Sequence, residues 1–290
     1  MDHVARVRSF NRSVTLHIGA LSGGYLGRKR SLAACRVIFE IGINGIDVRH
    51  LRTRLGLDSG YTSRLIRGLE AEKLVRSVPS PEDTRVRRLT LTAAGRRELA
   101  ALNRLSDEAA ESLLGSIPCA EREALLTAMQ TVERALCRSA VRVSVEDPDS
   151  RPARYCLGEY FAELAIRFES GFDVARTLPA PSAEFTPPRG YFVLATINGD
   201  PVGCAAMKCH DDWGEIKRMW VARTARGLGV GRQILVHLET LARKRRLPVV
   251  RLETNRSLTE AQALYRSHGF REIPAYNCEP YAHHWFEKVL

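Results

Sequence analysis

Apolar residues recur at three- and four-residue spacing between Gly45 and Val75. Val48, Leu51 and Leu55 share one face, and Tyr61, Leu65 and Leu69 share another. This spacing predicts two short amphipathic helices. Gly56 permits a tight turn between them, and Asp58 or Ser59 can accept a hydrogen bond from the second helix's free N–H groups. The stretch "LVRSVPSPEDTRVRRLTLTAAG" then alternates as two strands around a turn containing Pro and Asp. In the second half, "YFVLATI", "GEIKRMWV", "PVVRLET" and "HHWFEKV" read as strands. Between them, "RQILVHLETLARKRRL" has helical spacing at Ile234, Leu235, Leu238, Leu241 and Ala242, and "NRSLTEAQALYRSHGF" reads as a helix ending at Gly269. Pro148 and Pro152 break the periodicity within "SVEDPDSRPARY". A boundary placed there predicts two domains, 1–145 and 146–290.

Composition adds limits. A chain of 290 residues with 44% hydrophobic and 27% charged residues suits two soluble domains, each with its own core. No apolar run approaches a membrane span, and the charged N-terminal stretch lacks a signal-peptide pattern, so a cytoplasmic protein is expected. The seven scattered cysteines contain no CxxC pair and suggest reduced thiols. Cys204, Cys209 and His210 lack the short-loop pairs of a tetrahedral site, so no metal is expected. Charge is uneven. Residues 1–145 hold 24 Lys/Arg against 15 Asp/Glu, whereas residues 146–290 hold 20 against 18. The first half is the candidate for a polyanionic partner.

The helix pair has helix-turn-helix spacing, and its second helix would enter a major groove. Ser59, Ser63, Arg64 and Arg67 are its candidate DNA contacts, while Tyr61 suits either the core or a base contact. Arg85, Arg87 and Arg88 cluster at or beyond the hairpin tip, where arginines suit phosphates or a narrow minor groove. "DTRVRRLTLTAAG" resembles the wing of the MarR family, matching its D-x-R and L-T-x-x-G at Asp83, Arg85, Leu91, Thr92 and Gly95. "SRLIRGLEAEKLV" is similar to that family's recognition helix. The resemblance implies duplex DNA as partner and a homodimer formed by helical flanks, here 1–42 and 93–140.

"ARGLGVGRQIL" carries the chemistry of the second half. It lacks the G-x-G-x-x-G of a dinucleotide fingerprint and the G-K-[ST] of a P-loop. It fits a pyrophosphate loop at a helix N-terminus, where bare N–H groups and the helix dipole hold anionic oxygens. The order of elements resembles the GNAT acetyltransferases. Their R-x-x-G-x-G falls on Arg226, Gly229 and Gly231, and their N…A-x-x-L-Y-x-x-x-G-F on Asn255, Ala261, Leu264, Tyr265, Gly269 and Phe270. The resemblance implies acetyl-CoA as co-substrate. Gly227, Leu228, Val230 and Arg232 would complete its loop, Met219, Trp220 and Val221 would lie along its pantetheine arm, and Asn255 would also bind it. Trp220 and Met219 also suit the core. Tyr265 is implied as general acid and Glu215 as a base acting through water. Glu215 also reads as a strand carboxylate paired with Lys217 or Arg251, and His283 or His284 are alternative bases. The family's first helix and following loop wall the acceptor side, which places Glu163, Arg167 and Phe168 near a small zwitterion or an amine.

The expected whole is an α+β chain. A mainly helical winged helix-turn-helix domain precedes a GNAT α/β domain with a central mixed sheet. The expected function is transcriptional regulation joined to acetylation of a primary amine on a small molecule or protein. A transcription factor whose second half only senses acetyl-CoA or an amine is the alternative. An acetyltransferase with a merely dimerising first half is a third reading.

Overall fold

The computed structural model describes residues 2–21, 24–79, 87–169, 171–178 and 180–290. The wing positions Asp83 and Arg85 lie outside the described residues. The chain forms two compact units, Met1–Ala128 and Met129–Leu290.

In the first unit, α1 (His3–His17) precedes α2 (Leu32–Ile41), β1 (Ile46–Asp47), α3 (Val48–Leu55) and α4 (Ser59–Ala71). Next come β2 (Val75–Pro79), β3 (Arg87–Leu91) and α5 (Ala93–Gly115). The three strands form one antiparallel sheet in the order β1-β3-β2. Asp58 is the cap of α4, its carboxylate accepting from the Tyr61 N–H at 2.9 Å. The buried face of α4 is Thr62, Ile66 and Leu69, one position on from Tyr61 and Leu65. The helix begins immediately after its cap, and packing against α2 and β2 fixes its rotation. Tyr61 is only half-buried and carries Arg64 over its ring at 5.7 Å. Glu98 on α5, nearly buried, accepts from Arg28 at 2.6 and 3.0 Å and from Arg30 at 2.8 Å, fastening the segment before α2 to α5.

The expected domain boundary needs correction. The units divide within α6 (Cys119–Ala140), and β4 (Val141–Glu146) belongs to the second sheet. Pairing with β5 (Gly190–Ile197), from Val141↔Ile197 to Glu146↔Phe192, draws that segment across. The Pro-containing stretch is no free linker, because α7 (Arg151–Arg167) starts within it, capped by the Ser150 hydroxyl, and Pro152 sits in its first turn.

The second sheet has seven strands in the order β4-β5-β6-β7-β8-β10-β9. The new members are β6 (Asp200–Cys209), β7 (Trp213–Val221), β8 (Val249–Thr254), β9 (Arg271–Ile273) and β10 (His284–Val289). Only β7 and β8 pair in parallel, so the sheet is mixed. Phe192, Leu194, Cys204 and Ala206 pack on the α7 side. Val193, Ala195, Ala205 and Met207 pack on the side of α8 (Val230–Lys244). Burial on both faces explains why "YFVLATI" is apolar throughout rather than alternating.

Two features of β7 create space. Its parallel ladder with β8 stops at Ile216↔Leu252. Its antiparallel register with β6 shifts between Cys204↔Trp220 and Ala206↔Lys217, with Arg218 in left-handed backbone at φ 54°. The bulge bends the strand away from its neighbour. Past Ile216, β7 is paired with β6 alone, and α9 (Thr259–Ser267) brings Tyr265 towards the gap.

Candidate functional site

Two cavities meet around that gap. The larger, about 370 Å³, is lined by the backbone and side chains of the glycine loop, by the end of β7 and by α7 and α9. The smaller, about 120 Å³, lies among α7, residues 172–178 with Ala180, β7, β8 and the segment 279–282. Tyr160, Met219 and Tyr265 line both. Tyr265 is buried and its hydroxyl lies 3.8 Å from the Met219 sulfur. Burial, reinforced by the charge of Glu253, pushes its pKa up, so it holds its proton across the physiological range.

Met219, Trp220, Val221, Arg226, Gly227, Gly229, Val230, Gly231 and Arg232 all line the larger cavity. Gly229 caps α8 with φ 82°, a left-handed conformation that admits glycine readily. Gly231 packs where a Cβ would stand 2.9 Å from a Leu264 methyl. Leu228 packs against the α8-side core instead. Asn255 lines the smaller cavity, where its amide donates to the Tyr281 carbonyl at 2.8 Å and accepts from the Ser257 N–H at 2.9 Å. Arg138 also lines the larger cavity, its side chain beside Gly229, and the Gln233 amide donates to the Arg138 carbonyl at 3.2 Å. Nothing local in the sequence marks Arg138, which sits on α6, far from the loop in the chain.

Two of the three residues expected on the acceptor side share a cavity with the glycine loop. Glu163 and Arg167 line the larger cavity. Glu163 accepts from Arg226 Nη2 at 2.6 and 2.7 Å, from Trp220 Nε1 at 3.1 Å and from Arg167 at 3.2 Å. Arg167 also reaches Glu260 at 2.7 Å. Burial pushes the Glu163 carboxyl up, but Arg226 and Arg167 outweigh it and hold the pKa below its ordinary value. Helical phase turns these two residues to the glycine loop. The next residue, Phe168, lines the smaller cavity.

Glu215 is placed differently from its expected role. It is buried and lines neither cavity. It accepts from Lys217 at 3.2 Å and from Asn277 at 3.4 Å, and lies 3.2 Å from His210. It sits in the stretch of β7 still paired with β8, where the gap has not opened. The two carboxylates at the smaller cavity are Glu253 and Glu279. Both oxygens of Glu253 are engaged, by Lys217 at 2.5 Å and by the Tyr276 hydroxyl at 2.6 Å. Burial pushes Lys217 down, but Glu253 and Glu215 outweigh it and raise its pKa, so the ammonium keeps its proton. Glu279 accepts the Leu178 N–H at 3.0 Å through Oε2, while its buried Oε1 has no hydrogen-bond partner among the described residues. His283 and His284 line neither cavity, and His284 Nδ1 lies 2.6 Å from Glu272.

In the first unit, Ser59, Ser63, Arg64 and Arg67 are exposed on α4. The Ser63 hydroxyl is turned onto the Ser59 carbonyl at 2.8 Å, and Arg67 Nε reaches the Ser63 carbonyl at 3.4 Å. Arg87 is exposed on β3, with Nε donating to Ser77 at 2.8 Å and Glu70 3.8 Å away.

Residues 29–86 match the model of the MarR family, and residues 159–270 match that of the Acetyltransferase (GNAT) family. The chain joins a MarR segment to a GNAT segment. An IAA acetyltransferase of Azospirillum brasilense is 40% identical over 83 residues, which are 28% of this chain and 54% of that protein. The chain therefore spans about half the length of this curated relative. Among solved structures, a GNAT family acetyltransferase from Staphylococcus aureus has 19% identity and a TM-score of 0.43, over 52% of this chain and 99% of the other. An IAA acetyltransferase from Bacillus cereus has 18% identity and a TM-score of 0.37, also over 52% and 99%. Among the described residues no helix is long and apolar enough to cross a membrane.

Proposed function

We propose that the protein is a DNA-binding regulator whose second unit transfers an acetyl group from acetyl-CoA to a primary amine. The observation that carries this reading is the meeting of the two cavities at Tyr265 and Met219. One cavity is shaped for a cofactor and the other for an acceptor, and a protonated hydroxyl stands where they join.

The larger cavity fits the cofactor's pyrophosphate. Gly227 and Gly229 leave the backbone bare, the N-terminus of α8 presents free N–H groups, and Arg138 and Arg232 supply positive charge. The unpaired edge of β7 beyond Ile216 offers N–H and C=O groups to the pantetheine arm. Bound acetyl-CoA supplies the acetyl group as a thioester. The acceptor reacts as a neutral amine, forming the C–N bond as the C–S bond breaks. Tyr265 gives its proton to the departing sulfur. Glu279, with its free buried oxygen, takes the proton shed by the nitrogen, so one proton is lost and one gained.

The first unit presents Arg64, Arg67 and the α4 N-terminal serines to a major groove, and Arg87 to the adjacent phosphates. Pairing of two copies through the terminal helices would cover side chains left open on α1, where Val4, Val7 and Phe10 are 65%, 58% and 47% exposed.

A CoA-release assay across amines tests the catalytic reading. Tyr265→Phe removes only the hydroxyl, so kcat should fall by about 10²–10⁴-fold while acetyl-CoA affinity holds. Full turnover in Tyr265→Phe would remove the acid. Binding of acetyl-CoA without turnover of any amine would leave a sensor.

A further inference from the structure

The smaller cavity contains a cation that no carboxylate balances among the described residues. Arg218 sits at the bulge of β7, and its guanidinium lies 4.8 Å from the Phe185 ring centroid and 5.9 Å from that of Phe161. It donates one hydrogen bond, from Nη2 to the Ala180 carbonyl at 2.6 Å. A guanidinium carries five N–H donors. Among the described residues no carboxylate lies within ion-pair distance of it, whereas Arg226, Arg167 and Arg251 are each paired. Burial accordingly draws its pKa below the usual arginine value. A half-buried, uncompensated charge is unfavourable for the protein alone, and so is left-handed backbone at a non-glycine residue. An anion entering the cavity would relieve the first of these costs.

The other walls restrict what accompanies that anion. Phe161, Phe168, Phe172 and Tyr281 form a continuous aromatic side, with successive ring centroids 5.0–5.8 Å apart. The volume, about 120 Å³, is near the ~150 Å³ of a cavity that admits benzene. This suits a branched aliphatic group or a small ring. Glu279 supplies a buried, unpartnered oxygen for an N–H donor.

We propose that the acceptor is a free α-amino acid with an apolar side chain. Its carboxylate is held by the open N–H donors of Arg218, its amine lies beside Glu279, and its side chain lies against the aromatic wall. This rests on the acetyltransferase reading above and narrows it. A plain alkylamine leaves Arg218 unbalanced, and a protein N-terminus carries an amide where the carboxylate is required.

The test uses the full chain saturated with CoA. Leucine, leucinamide and isoamylamine are compared by calorimetry, then in the CoA-release assay with acetyl-CoA. Leucine should bind more tightly than leucinamide or isoamylamine by roughly 10- to 150-fold, the range of a hydrogen bond to a charged group. Arg218→Met should erase that preference by weakening leucine alone, and Arg218→Lys should keep part of it. Unchanged CoA affinity shows that a variant is folded. Equal binding of leucine and isoamylamine by the natural protein overturns the proposal whatever the variants do. So does an Arg218→Met protein that weakens all three ligands alike. The two readings fail separately. Leucine-selective binding without acetylation would remove the enzyme and keep the recognition, while acetylation without preference for a carboxylate would do the reverse.

Discussion

The two cavities that share Tyr265 are built by opposite means. The larger is walled mainly by one contiguous stretch, Val221–Arg232, and its neighbours on α7 and α9. Its recognition rests on backbone, and the acidic side chains there are already paired, as in the Glu163–Arg226 and Arg167–Glu260 contacts. The smaller draws on five separated segments, and two of its groups are incompletely paired among the described residues: Arg218 uses one donor, and Glu279 leaves one oxygen free. A cofactor common to many enzymes can be held by a local motif. A particular acceptor must be met by side chains, and the fold collects these from wherever the chain passes.

The sharpest way to break this contrast is at its carboxylates. Glu279→Gln should cut kcat by about 10²–10⁴-fold, the usual worth of general base help, and raising the pH should restore part of it because more amine is already neutral. Glu215→Gln should leave turnover near that of the natural protein, since Glu215 lines neither cavity. Steady-state kinetics that reverse this order would return the base to Glu215.

A smaller effect distinguishes the two units. Arg64→Ala and Arg67→Ala should each weaken DNA binding by about 1–3 kcal/mol if the arginine reads a base edge. A phosphate contact would instead weaken binding evenly and lower the salt slope by about 1. Acetylation should be unaffected. Electrophoretic or fluorescence titration at several salt concentrations measures this, and unchanged affinity in both variants would remove α4 as the contact helix.

The smallest effect lies in the paired charges of the larger cavity. The folded-state pKa of Glu163 is lowered, so its contribution to stability is present above its unfolded pKa of about 4.3. It is lost as pH falls through the lower folded value. Glu163→Gln should therefore be less stable than the natural protein at neutral pH, and the gap should close on acidification. Thermal melts with a pH-independent gap would show that the lowered carboxyl is not its source.

Much of the helix and strand order was legible in the chain because burial imposes periodicity: α3, α4, β5, β7, α8, β8, α9 and β10 stand where their patterns placed them. β6 carries no strand pattern, because "DPVGCAAMKC" is short of branched and aromatic residues. It needs small ones, since a Cβ on Gly203 would lie 2.8 Å from the Trp220 carbonyl. The sequence pattern puts β4 at the end of the first domain, because no local feature tells a strand which sheet it will join.

By itself the sequence determined the two-part plan, the capped α4, the glycine loop and the position of Tyr265, all of which depend on neighbours within a few turns of chain. Tertiary structure alone decided that Glu163 and Arg167 face the loop, that Glu215 stays outside both cavities, and that Arg138 joins the loop. It also brought Arg218, Glu279 and the aromatic wall into one space. The reason is physical: a hydrogen-bonded turn or an amphipathic face is stabilised by residues close in sequence. The rotation of a helix, the point where two strands part, and the partner of a charge are fixed by packing between segments that the sequence does not place side by side.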